Sequence, residues 1–189
     1  MKHIVIFASG SGSNAENIIK YFQKKNLAEV TLVLSNKSDA KVLDRAEKLS
    51  VSSESFTKSE FIDSAKITTI LRKESPDLIV LAGFLLKLPE FILKDFPNKV
   101  INIHPALLPK YGGKGMYGML VHESVVKNKE SETGITIHYV NENYDEGAII
   151  FQKSFQLSEN DTSESVANKI HELEHEFFPK VIEEILDKG

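Results

Sequence analysis

The chain has 189 residues, 41% hydrophobic and 26% charged, with a formal net charge of −4 and no cysteine. This composition fits one globular domain that buries roughly 70% of its unfolded surface, and it excludes disulfide frameworks, thiolate nucleophiles and cysteine-based zinc sites. Arg45 and Arg72 are the only arginines, which argues against nucleic-acid binding but leaves room for one local phosphate site. The longest apolar run, Leu78 to Leu86, is too short to span a bilayer. The expectation is a single cytoplasmic domain over residues 1–189.

In chain order, His3–Phe7 reads as a buried strand, followed by a Gly/Ser turn and a helix from Asn14 to Lys25. Val30–Leu34 is a second strand, and helices follow at Ala40–Leu49 and Lys58–Lys73. Leu78–Leu81 and Val100–His104 are continuous apolar strands around a short helix at Pro89–Asp95. Uninterrupted apolar strands between helices predict an α/β protein: a mostly parallel, twisted sheet with helices on both faces. The second half opens with a glycine-rich loop from Pro109 to Gly118 and a helix at Leu120–Lys127. Ile135–Val140 and Ala148–Phe155 are strands. A helix begins at Asp161-Thr162-Ser163-Glu164 and runs to Leu186, with Val166, Ile170, Leu173, Phe177, Val181 and Ile185 as its core stripe.

Open α/β sheets bind ligands beyond the carboxyl ends of their strands, and three constellations fall there. Gly10-Ser11-Gly12-Ser13-Asn14-Ala15 lies between strand and helix, where free amides favour a phosphate. It also fits the dinucleotide fingerprint loosely. The acidic residue which that fingerprint needs after the second strand is replaced by Ser35 and Asn36, so a lone phosphate on Gly12, Ser13 and Asn14 is preferred; a plain turn is the alternative. Asn102 and His104, two apart on a strand, share a face and suit an oxyanion; a hydrogen-bonded strand-end histidine is the alternative. His138 follows on a later strand, sharing its face with Thr136. Asp145 lies in the turn after it, either as a turn-former or as a carboxylate that raises the His104 pKa and holds the ring protonated.

His171-Glu172-Leu173-Glu174-His175 matches H-E-x-x-H, a zinc-protease pattern. Only 14 residues follow, too few for a further helix with a third ligand, and the segment already reads as an amphipathic helix. No metal is expected.

Together these motifs resemble the folate-dependent formyltransferases, and within them the glycinamide ribonucleotide branch of purine synthesis. The resemblance rests on the Gly10–Asn14 loop, Leu81-Ala82-Gly83-Phe84, and Asn102-Ile103-His104-Pro105-Ala106-Leu107-Leu108-Pro109. It continues through Gly134–Val140, Tyr144-Asp145-Glu146-Gly147, and Glu174-His175 shortly before Pro179. It implies a formyltransferase fold with a Rossmann-like N-terminal half, and formyl transfer from 10-formyltetrahydrofolate, as co-substrate, to the amine of glycinamide ribonucleotide. In that reading Asn102, protonated His104 and Asp145 carry the chemistry, and His138 orients them. Gly12, Ser13 and Asn14 hold the phosphate, with His171 and Glu174 near the ribose and glycinamide. Leu85, Leu86, Lys87 and Leu88 line the pterin pocket together with Asn102, and Lys58 reaches the glutamate tail. The partners implied are these small molecules alone, with no nucleic acid or membrane, in a monomer or homodimer. Formyltetrahydrofolate hydrolysis on a bare catalytic domain is the alternative activity. A phosphate-sugar binding module is the non-enzymatic one, but it gives Asn102, His104 and Asp145 no joint task.

Overall fold

The computed structural model describes residues 1–188. The chain runs β1 (Lys2–Phe7), α1 (Ser13–Gln23), β2 (Ala28–Ser35), α2 (Lys41–Lys48) and β3 (Ser52–Ser55). Next come α3 (Lys58–Ile62), α4 (Ser64–Glu74), β4 (Leu78–Leu81), α5 (Glu90–Asp95) and β5 (Val100–His104). It ends with α6 (Met119–Lys127), β6 (Glu132–Tyr139), β7 (Ile149–Gln156) and α7 (Ser163–Lys188). The strands form one seven-stranded sheet in the order β3-β2-β1-β4-β5-β6-β7. Pairings from β3 across to β5 are parallel, and β6 and β7 extend the sheet antiparallel. The α/β class and the mostly parallel sheet are as the sequence predicts.

Alternation along β1 shows why the central strands are apolar throughout. Ile4 and Ile6 enter the core built with α1, α2 and α7, whereas Val5 and Phe7 enter the one built with α3, α4 and α5. A strand covered on both faces has no solvent side on which a polar residue could sit. Each fully buried side chain of this kind contributes about 1.5–3 kcal/mol. Phe7, Phe56, Phe61 and Phe84 meet mostly edge-to-face, with Phe7–Phe84 centroids 5.3 Å apart. This cluster anchors the segment that follows β4.

Three details depart from the sequence reading. The edge strand β3 is Ser-Ser-Glu-Ser, too polar to register as a strand, and it pairs only with β2. The helix expected over Lys58–Lys73 is broken at Asp63, whose extended backbone (ψ 102°) closes α3 and opens α4. The predicted α7 stripe holds at Val166, Ile170 and Val181, which are buried, while Leu173, Phe177 and Ile185 are partly buried against the core and Glu174, Phe178, Ile182 and Leu186 join the inward face.

The topology also sets where a ligand can enter. From β1 the chain builds outward through β2 to β3, then returns to place β4 on the other side of β1. The segments leaving β1 and β4 therefore diverge, and a crevice opens at the carboxyl ends of these strands.

Candidate active site

A cleft of about 730 Å³ occupies that crevice. Its walls are the segments after β1 (Ser9–Asn14), β4 (Ala82–Leu85) and β5 (Asn102–Pro105), the 113–119 loop, Tyr144 and Asp145, and one face of α7.

The post-β1 loop enters α1 through Gly12, which has φ 75° as the helix N-cap. A Cβ there would lie 2.7 Å from the Val42 Cα, so glycine is required by conformation and by space alike. The loop is held from behind. Val42 N–H donates to Gly10 O (3.2 Å), and Arg45 Nε donates to Ser11 O (2.8 Å). First-turn amides have no intrahelical acceptor, so those of Ser13 and Asn14, residues that line the cleft, are available to an anion. Asn14 Nδ2 donates to Glu174 Oε2 (2.8 Å), and Asn14 Oδ1 is buried without a partner. His171 Nδ1 bonds the same Glu174 oxygen (3.1 Å), and this bond raises the His171 pKa.

Across the cleft, strand register assembles a second group. Asn102 stands directly opposite His138 in the antiparallel β5–β6 pair, and His104 opposite Thr136. Directly opposed side chains are close enough to bond, and Asn102 Nδ2 lies 3.1 Å from His138 Nε2. His138 Nδ1 is 2.9 Å from Tyr139 O. A carbonyl accepts only, so Nδ1 carries the proton and Nε2 accepts from Asn102. That bond fixes the Asn102 amide and leaves its second N–H for the cleft. The same logic applies to His104, whose Nε2 donates to Tyr111 O (2.7 Å) and whose Nδ1 faces Asp145 Oδ2 at 3.6 Å. Buried Thr136 donates to Ala106 O (2.7 Å) and accepts from Leu108 N–H (3.0 Å), pinning the chain between His104 and Tyr111.

Asp145 has φ 57°, in the left-handed region that Asp and Asn tolerate best among non-glycine residues. Its Oδ2 accepts from Gly113 N–H (2.9 Å), and its Oδ1 lies 3.7 Å from His138 Nε2. One carboxylate therefore sits beside two buried imidazoles. Burial pushes the His104 pKa below its ordinary value, while the Asp145 charge and the Tyr111 bond push it up. Burial likewise lowers His138. Two imidazoles beside a carboxylate form a site that can exchange a proton and stabilise the cation that carries it.

Asn102, His104, Asp145, Gly12, Ser13, Asn14, His171, Glu174 and Leu85 all line the cleft, and His138 supports it through Asn102. Leu86, Lys87, Leu88 and Lys58 do not line it: Leu88 is buried in the second core, Lys87 stacks over the Tyr144 ring, and Lys58 starts α3. Phe84, Leu85, Ile103 and Tyr144 are among the apolar residues that line it. The sequence reading missed His122, which lines the cleft from α6; its only signal was a histidine inside an apolar helical stripe. Within the H-E-x-x-H segment, Glu174 turns inward to Asn14 while His175 is exposed. Among the described residues there is no group of three or more histidine or carboxylate side chains arranged to hold a metal.

The formyl transferase family model matches residues 2–182. The phosphoribosylglycinamide formyltransferase of Bacillus subtilis (strain 168) is 37% identical over 191 residues, covering 98% of this chain and 95% of that protein. The crystal structure of phosphoribosylglycinamide formyltransferase from Anaplasma phagocytophilum superposes with a TM-score of 0.90 at 33% identity, covering 98% of this chain and 87% of that one. Glycinamide ribonucleotide transformylase 1 from Geobacillus kaustophilus gives a TM-score of 0.90 at 32% identity, with 98% and 99% covered. Sequence likeness and backbone likeness thus both extend over nearly the whole chain, including every segment that walls the cleft, and the chain belongs to the formyl transferase family.

Proposed function

We propose that this chain transfers the formyl group of 10-formyltetrahydrofolate to the amine of glycinamide ribonucleotide, yielding formylglycinamide ribonucleotide and tetrahydrofolate. The observation that carries this reading is one cleft with an anion site at the start of α1 and the Asn102–His104–Asp145 group on its opposite wall. A substrate with a phosphate at one end and an amine at the other spans those two features. The amides of Ser13 and Asn14 hold the phosphate, and Glu174 receives the ribose. The apolar side chains of Phe84, Leu85 and Tyr144 receive the pterin.

The free N–H of Asn102 donates to the formyl oxygen and stabilises the negative charge that develops there. As the amine nitrogen bonds to the formyl carbon, His104 Nδ1 accepts the proton it sheds, and Asp145 stabilises the imidazolium. Breakage of the bond to folate nitrogen then draws the proton onto that nitrogen, so one proton leaves the amine and one reaches the leaving group. His138 acts through Asn102, as a positioning residue. The same proposal places the reaction in the cytoplasm, with small molecules as the only partners.

The test measures tetrahydrofolate release with and without glycinamide ribonucleotide, using the purified chain. Release that requires the ribonucleotide is expected. Equal release in its absence identifies a hydrolase and overturns the reading.

A further inference from the structure

The loop that follows β5 touches His104 and Asp145 from neighbouring residues. Tyr111 O accepts from His104 Nε2 (2.7 Å), and Gly113 N–H donates to Asp145 Oδ2 (2.9 Å). Gly112 between them is packed too closely for a side chain: a Cβ there would lie 2.6 Å from Leu108 Cδ2 and 3.2 Å from Asp145 Cβ. Tyr111 itself has φ 58°, a left-handed backbone that a bulky residue leaves unless its surroundings hold it there. Rotation out of that conformation would swing its carbonyl off His104.

The hold on Tyr111 comes from its side chain. The phenol O–H donates to Glu130 Oε1 (2.8 Å), and the phenol oxygen accepts from Asn128 Nδ2 (2.9 Å). Asn128 caps the carboxyl end of α6, and Glu130 N–H donates back to Val125 O of that helix (3.3 Å). Lys110 Nζ lies 3.1 Å from each Glu130 carboxylate oxygen and donates there. The end of α6 thus grips a residue that does not line the cleft, and the carbonyl of that residue meets one that does.

Two acceptors compete for the single proton of a neutral His104 ring. The Tyr111 carbonyl accepts only, and at 2.7 Å it holds that proton on Nε2. Asp145 Oδ2, 3.6 Å from Nδ1, lies beyond hydrogen-bond length. With the carbonyl swung away, the carboxylate would be the remaining acceptor and would draw the proton to Nδ1. That is the nitrogen which has to be vacant to take a proton from the amine. Resting on the proposed function, we propose that Tyr111 is a positioning residue: its phenol, gripped by Glu130 and Asn128, keeps its carbonyl on His104 Nε2 and so keeps Nδ1 free to accept the proton of the attacking amine.

Tyr111→Phe tests this in the full chain, because it keeps the ring and removes only the hydroxyl. Nitrogen NMR spectra of the imidazoles, recorded at about pH 9 where the rings are neutral and assigned with His104→Ala, report which nitrogen of His104 carries the proton. The wild-type chain is expected to hold it on Nε2, and Tyr111→Phe to move most of it to Nδ1. Since the rate follows the fraction in the competent form, kcat should fall about tenfold. The KM values for ribonucleotide and folate should stay within about threefold. Glu130→Ala should reproduce both changes, and Glu130→Gln, which returns an acceptor to the phenol, should reverse most of them. Wild-type kcat in Tyr111→Phe, with the proton retained on Nε2, overturns the proposal. A loss of kcat and of Tm with the His104 spectrum unchanged makes the residue structural and overturns it equally. Failure of the wild-type chain to use glycinamide ribonucleotide is a different result: it sinks the underlying reading, whereas the position of the proton is read without substrate.

Discussion

Replacing Asp145 with asparagine removes one charge and little else. The amide oxygen of Asn can still accept from Gly113 N–H, as Oδ2 does at 2.9 Å. Asn also tolerates the left-handed backbone that Asp145 adopts at φ 57°. What disappears is the negative charge 3.6 Å from His104 Nδ1. At that separation, with an effective dielectric between about 20 and 40, the attraction between carboxylate and imidazolium is about 2–5 kcal/mol. Because the imidazolium forms only as the amine sheds its proton, the whole of that difference falls on the transition state. The expected loss in kcat is about 10²–10³-fold. Ribonucleotide affinity, measured by calorimetry, should change little, since the charge does not act in the ground state. His104→Ala should cost a comparable factor, and the double variant His104→Ala/Asp145→Asn little more than the worse single one, because the two residues act as a unit. Steady-state kinetics of the three variants decide the matter. A near-normal kcat in Asp145→Asn, or losses that multiply in the double variant, would refute the pairing.

Two further outcomes follow from the same geometry. Gly12→Ala places a Cβ 2.7 Å from the Val42 Cα at a positive φ; the left-handed backbone alone costs about 1–2 kcal/mol, so Tm should fall by roughly 3–6 °C. The KM for the ribonucleotide should rise about tenfold or more while that for the folate stays nearly constant, and an equal rise in both KM values would remove the phosphate from this loop. The second outcome concerns pH. Because His104 works as a proton acceptor and burial lowers its pKa, kcat should rise with pH and reach its plateau below the ordinary histidine range of about 6.5. The Asp145 charge raises that pKa, so Asp145→Asn should move the residual activity's acidic limb to still lower pH; an upward shift, or a rate that declines as pH passes through about 6.5, would mean that the protonated ring is the working form.

Much of this was legible in the sequence, and the parts that were not share one physical cause. Periodicity located every strand except β3, whose Ser-Ser-Glu-Ser is held by pairing with β2 and not by a buried face. Spacing within one strand placed Asn102 beside His104, since residues two apart share a face. It did not reveal that Asn102 stands opposite His138, because that depends on the register of two strands joined by a long connection. The burial of His104 was hidden for a similar reason: the sequence names a carboxylate that can come near, while burial, which pushes the ring's pKa the other way, exists only after the sheet has closed. His122 was invisible because a histidine among Val121, Val125 and Val126 reads as part of a core stripe.

The division of the sheet explains why the two ends of the cleft differ in chemistry. The parallel half, β1 with β2 and β4, ends at a topological switch where a helix start faces the opening. Such a position offers backbone amides, which suit a phosphate. The antiparallel extension pairs β5 with β6 and sets side chains directly across from one another, which is how an amide and two imidazoles come together. Neither half holds both kinds of group. α7 links them: Glu174 accepts from Asn14 at the start of α1, and its charge also acts on His104 at the other end. A turn that carried Glu174 to the solvent face of α7 would withdraw it from both, so the helical phase that buries this carboxylate together with Phe178 is itself part of the site.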